Sequence, residues 1–169
     1  MKTVALIPIR AGSKGISNKN MKEMCGKPLC HWVIGAAIGA KSVDEVWVST
    51  DYENYFTEGL YNAYDGINLL HRPDWLATDT ASSDDVLRHF CWQVCEPEDR
   101  VVMLQATSPL TTSGNIDGAV RMMGKTSYCV VSVVEWKRLF WAANGPSYSP
   151  MHRPMRNAII PWNGENWSI

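Results

Sequence analysis

The run Thr3-Val4-Ala5-Leu6-Ile7-Pro8-Ile9 is apolar almost without interruption. A strand with one wet face alternates apolar and polar residues; this run does not. It is therefore predicted to be buried on both faces, in a parallel sheet covered by helices. Similar runs recur at 46–49, 67–70, 101–105 and 129–134. Helical patterns lie between them. Leu29, Trp32, Val33, Ala36, Ala37 and Ala40 share one helix face, and Pro28 suits a first turn. Val86, Leu87, Phe90, Cys91 and Val94 form a second stripe. Ile116, Val120 and Met123 form a third, with Ser113 as the expected cap. Residues 52–64 read as a helix interrupted by Gly59. Strand and helix alternating at this spacing imply crossover units: an α/β fold with a mostly parallel sheet, wound on both faces.

Hydrophobic residues make up 46% and charged residues 20% of the 169-residue chain, which excludes a disordered class and allows one domain over 1–169. A net charge of −1 provides no global field for nucleic acid or an anionic membrane, so any anion must be held by a local cluster. Five cysteines, an odd number, with no secretory signal or membrane span ahead of them, point to a reducing cytoplasm. Cys91 and Cys95 share a helix face but lack partners for a zinc set, so they read as small core residues. After Trp136 the pattern changes, and 145–161, rich in Pro, Arg and Asn, reads as an excursion suited to a subunit contact. Trp167-Ser168-Ile169 looks like an unfinished strand, so C-terminal truncation is expected.

In open parallel sheets, ligands bind where strands end and loops enter helices. The loop after the first run, 10–20, puts Arg10, Lys14 and Lys19 with Gly12 and Gly15 at that position. Glycines let backbone amides approach a phosphate, and the cations offset its charge. The loop matches neither the Walker pattern nor the dinucleotide fingerprint. Three more strand ends are polar: Ser49-Thr50-Asp51, Arg72-Pro73 running on to Ser83, and Gln105-Ala106-Thr107-Ser108-Pro109-Leu110. Each alone has a bland explanation, such as Asp51 or Ser82 capping a helix or Arg72 pairing with a surface acid. Together they make one edge of a sheet a site.

These segments resemble the acylneuraminate cytidylyltransferase family. The resemblance rests on Ile7-Pro8-Ile9-Arg10, Gly12-Ser13-Lys14-Gly15, Lys19-Asn20, Gly26-Lys27-Pro28-Leu29, Val48-Ser49-Thr50-Asp51 and Arg72-Pro73, then on Leu76 through Ser83, Leu104-Gln105, Thr107 through Leu110 and Val130 through Val133. They occur in order over roughly the first 135 residues by motif-to-motif matching. Ser17 and Ala106 stand where the family usually has proline. The resemblance implies a Rossmann-like nucleotidyltransferase fold and transfer of CMP from CTP to an acidic nine-carbon sugar of the sialic acid type. It implies Arg10, Lys14 and Lys19 as the catalytic cations, with Gly12 and Ser13 on the phosphates. Asn20, Arg72, Ala81 and Ser83 map to the cytidine side, and Gln105 and Thr107 to the sugar acid. It also implies Mg2+ and a homodimer. The family's metal-positioning aspartates lie beyond Ile169, which leaves the metal ligands unknown, so CTP binding with slow or absent turnover is expected. The alternatives are a 3-deoxy-manno-octulosonate type of enzyme and a non-catalytic nucleotide-binding domain.

Overall fold

The computed structural model describes residues 1–12, 15–52, 64–126, 129–133, 141–144 and 147–150. The chain divides into two compact units, 1–131 and 132–169. In chain order the first holds β1 (Thr3–Ile9), β2 (Glu23–Met24), β3 (Lys27–Pro28), α1 (Leu29–Ile38), β4 (Glu45–Thr50), β5 (Ile67–His71), α2 (Ser83–Val94), β6 (Arg100–Met103) and α3 (Ser113–Thr126). One sheet runs in the order β5-β4-β1-β6, with every pairing parallel. The small antiparallel hairpin β2–β3 leads into α1.

β1 shows why its sequence does not alternate. Ala5, Ile7 and Ile9 pack with Cys30, Val33, Ile34 and Ala37 of α1 and Ile116 of α3. Val4 and Leu6 pack in a second cluster with Phe90 of α2, and Leu87, Cys91 and Val94 add to it. Both faces of the strand are core, and full burial of each large side chain contributes about 1.5–3 kcal/mol. The sheet is thus wound on both faces.

The strand order also creates a crevice. β4 follows β1 for its whole length, up to Ile9↔Thr50. β6 follows only as far as Leu6↔Met103, with one more bond from Leu104 N–H to the Leu6 carbonyl at 2.9 Å. Beyond that point β1 has lost one neighbour, and a proline without an N–H is tolerated there at Pro8. The loops after β1 and β6 part at this reversal of strand order, the place where parallel sheets accept ligands.

Several expectations are corrected. β6 stops at Met103 rather than Gln105, because the chain turns with Ser108 N–H bonded to the Gln105 carbonyl. Residues 129–133 form no strand, and Val131 and Val133 are exposed; an apolar run becomes a strand only where it finds a ladder partner. The cap of α3 is Thr112, which exchanges bonds with Asn115, while Ser113 donates its hydroxyl to the Ala36 carbonyl of α1 at 2.8 Å. Pro28 stands just ahead of α1 as its cap residue. Cys91 and Cys95 are half-buried core thiols without a disulfide. Of the expected helix over 52–64, residues 53–63 lie outside the described residues. In the second unit, β7 (Trp141–Asn144) and β8 (Ser147–Pro150) pair antiparallel, from Trp141↔Pro150 to Asn144↔Ser147. Within the expected excursion over 145–161, the described residues 147–150 form β8; the rest of it and the expected strand at 167–169 lie outside the described residues.

Candidate nucleotide site

Three chain segments meet at the crevice. The first leaves β1 through Arg10, Ala11 and Gly12. Gly12 has φ +74, a left-handed conformation that a side chain would strain. The segment is tethered on two sides. Ala11 N–H bonds Asp51 Oδ1 at 2.8 Å, and the Arg10 carbonyl accepts from Asn20 Nδ2 at 3.3 Å. Asn20 is buried in a short 3-10 turn, Lys19–Met21, that Asn18 opens. Tyr52 donates its hydroxyl to Asn18 Oδ1 at 2.9 Å, which ties that turn to the exit of β4. Asp51 thus braces the loop after β1; the expected helix that it would cap falls on residues 53–63, which lie outside the described residues.

The second segment follows β5. Arg72 is only 3% exposed. Among the described residues it pairs with no surface acid. Its Nη2 donates to the Ser49 carbonyl at 2.9 Å and its Nε to Ser49 Oγ at 3.3 Å, while its own N–H bonds the Thr50 carbonyl at 2.8 Å. Burial pushes its pKa below the usual arginine value; nearby Asp51 opposes that shift and Arg10 adds to it. Past a 3-10 turn at Asp74–Leu76, Thr78 Oγ1 accepts the Ala81 N–H at 3.1 Å. Ser82 and Asp85 then form a reciprocal capping box that starts α2. The third segment is the turn after β6 that carries Gln105, Ala106 and Thr107.

A cavity of about 400 Å³ lies between the three. Arg10, Lys19, Asn20, Arg72, Ala81, Ser83, Gln105 and Thr107 all line it, together with Gly15. Gly12 belongs to the loop but not to the lining, and Ser13 and Lys14 lie outside the described residues. Asp79 lines the cavity without having been singled out, and Ala106, noted above as a departure from the family, lines it too. Asp79 stands 2.6 Å from Arg10 Nη2. No local pattern marks that pairing, although the residue sits inside the segment that carries the resemblance. A volume of this size falls within the ordinary range for small-molecule sites. Cations at the lining give it a positive character that the chain as a whole lacks.

Among the described residues, no group of three or more His, Cys, Asp and Glu is placed to hold a metal ion. Asp79, the carboxylate on the described lining, is engaged by Arg10. These donors do not fit a metal cage built by protein. A divalent ion here would take most of its ligands from phosphate oxygens and water. Nor is any described helix long and apolar enough to cross a membrane.

A family profile described as Cytidylyltransferase matches residues 4–142. The chain belongs to the cytidylyltransferase family. Within it, the chain is 34% identical over 172 residues to the N-acylneuraminate cytidylyltransferase of Oncorhynchus mykiss, a match covering 95% of this chain and 38% of that protein. It is 38% identical over 134 residues to the enzyme of the same name from Escherichia coli, covering 78% of this chain and 31% of that one. The chain thus spans about a third of the length of these curated relatives. Among solved structures, a CMP:2-keto-3-deoxy-manno-octonic acid synthetase complexed with CTP matches with a TM-score of 0.61 and 27% identity, over 73% of this chain and 48% of that one. A 4-diphosphocytidyl-2C-methyl-D-erythritol synthase matches with a TM-score of 0.71 and 17% identity, over 91% and 70%. The second likeness concerns the fold, the Rossmann-like nucleotidyltransferase arrangement that this cytidylyltransferase-family chain shares.

Proposed function

We propose that the crevice binds CTP and serves the transfer of CMP to an acidic nine-carbon sugar of the sialic acid type, with release of pyrophosphate. The observation that carries this reading is the gathering of Arg10, Lys19, Asn20, Arg72, Ser83, Gln105 and Thr107 from three segments around one cavity. The names of the relatives at 34% and 38% identity support the neuraminate type over the octulosonate type. In the reaction, a sugar hydroxyl attacks the α-phosphorus and the bond to the bridging oxygen of the β-phosphate breaks. The protein's share is charge neutralisation and placement. Arg10, Ser13, Lys14, Lys19 and the amides around Gly12 hold the phosphates. Arg72, with Asn20, Ala81 and Ser83, faces the cytosine, whose carbonyl and ring nitrogen accept hydrogen bonds. Gln105 and Thr107 face the sugar acid. Magnesium accompanies the triphosphate and offsets its charge. We place the protein in the cytoplasm as a homodimer with 145–161 in the contact; a monomeric mass by light scattering at micromolar concentration counts against that assembly.

A second reading is a domain that binds nucleotide without turnover: the carboxylate on the described lining, Asp79, is engaged by Arg10. Two measurements separate the readings. Titration with CTP, ATP and GTP should show a clear preference for CTP; equal binding of all three sinks the cytidine assignment. Incubation with CTP, sialic acid and magnesium should yield CMP-sugar, and CTP binding without any product establishes the second reading.

A further inference from the structure

Arg10 and Asp79, both on the cavity lining, form an ion pair, Nη2 to Oδ1 at 2.6 Å, with roughly a third of each side chain exposed. The two come from opposite banks, Arg10 from the loop after β1 and Asp79 from the segment ahead of α2. The backbone on neither bank depends on the pair. The Arg10 carbonyl is held by Asn20, and the next N–H by Asp51. Ser82 and Asp85 close the start of α2, and Thr78 takes the Ala81 N–H. What the pair does fix is where the guanidinium lies and what neutralises it.

A carboxylate oxygen on a guanidinium N–H has the same geometry as a phosphate oxygen on that group. We infer that Asp79 is a resident anion occupying Arg10 until a polyphosphate displaces it, so that entry to the site is an exchange of one anion for another. Two anions cannot share one cation cheaply in a partly buried cleft. A ligand with little charge leaves the Arg10 pair in place. A triphosphate that also reaches Lys19 regains elsewhere what is lost in breaking the pair. Asp79 then sets a charge threshold for binding. The opposite role, in which Asp79 steadies Arg10 in the bound state, gives the opposite sign on mutation. The inference rests on the CTP reading only for the identity of the ligand.

The test is calorimetric titration of the full chain with inorganic tripolyphosphate and with CTP. It compares the unmodified protein with Asp79→Asn and Asp79→Ser, each made also in an Arg10→Ala background. Both substitutions should tighten both ligands by about threefold to tenfold when Arg10 is present, and leave affinity unchanged when it is absent. Equal or weaker binding overturns the inference, as does the same tightening without Arg10, which marks a general charge effect. Failure of every variant to bind tripolyphosphate overturns it too, and so does loss of a cooperative melt in both Asp79 variants. Tightened tripolyphosphate binding beside equal affinity for CTP, ATP and GTP keeps the exchange and defeats the cytidine reading.

Discussion

Arg72 belongs to the fold as well as to the cavity. Its guanidinium is buried, and the Ser49 carbonyl and hydroxyl it bonds are buried with it. Arg72→Ala should therefore lower stability by about 1–3 kcal/mol in urea unfolding, because it orphans the Ser49 acceptors. An unchanged midpoint would show that the two bonds carry nothing. His31 on α1 reports on acidity. Burial first, and then the charge of Lys27, hold its pKa below the ordinary 6.5, and its ring meets Tyr64 edge-on at 5.3 Å. The unfolded chain takes up that proton at a higher pH than the folded one. The contribution is thus complete above 6.5 and is lost as pH falls through the window beneath it. Unfolding midpoints should fall from about pH 7.5 to about pH 5.5 and flatten in His31→Phe; identical slopes would remove His31 as the cause. At this scale residue type was legible and partner was not. Arg10, Lys19 and Arg72 could be placed at strand ends from their neighbours alone. The Asp79 partner of Arg10, the Ser49 partner of Arg72 and the Asp51 bond to Ala11 all join segments distant in sequence, and no periodicity encodes them.

Among the elements, α2 links stability to the site. Ser82 and Asp85 bond reciprocally at its start, and Ser83, its first residue, lines the cavity. Ser82→Ala should cost about 1 kcal/mol and lower Tm by roughly 2–4 °C, as expected for a domain of this size. Nucleotide affinity should fall with it, since fraying there moves Ser83. A lowered Tm with affinity intact would separate cap from site. Elements with strong patterns were readable: β1 by its unbroken apolar run, α1 and α2 by their stripes. The failures share one cause. Residues 129–133 have the composition of a strand, but composition cannot say whether an edge is available for pairing. Ser113 is as good a cap residue as Thr112, and the Ala36 carbonyl on a neighbouring helix claims its hydroxyl instead.

For the whole molecule, what matters is that the cavity exists only when the sheet is assembled. Residues of the segments that follow β1, β5 and β6 supply its lining, and the order β5-β4-β1-β6 brings those segments to one edge. A ligand touching all three segments binds the folded chain and not the unfolded one, so binding adds to stability by mass action. At a hundredfold excess over Kd the gain is about 2.7 kcal/mol, which for a chain of this length raises Tm by roughly 5–10 °C. CTP should produce that rise in differential scanning fluorimetry, and ATP and GTP a smaller one. Because the net charge is only −1, the attraction is local to the cleft. The rise should therefore shrink with added salt as the lining cations are screened, and shrink further in Arg10→Ala. A cooperative melt that millimolar CTP leaves unmoved would mean that the assembled edge is not a nucleotide site. A rise indifferent to both salt and Arg10 would mean that CTP is held by something other than the cations gathered there.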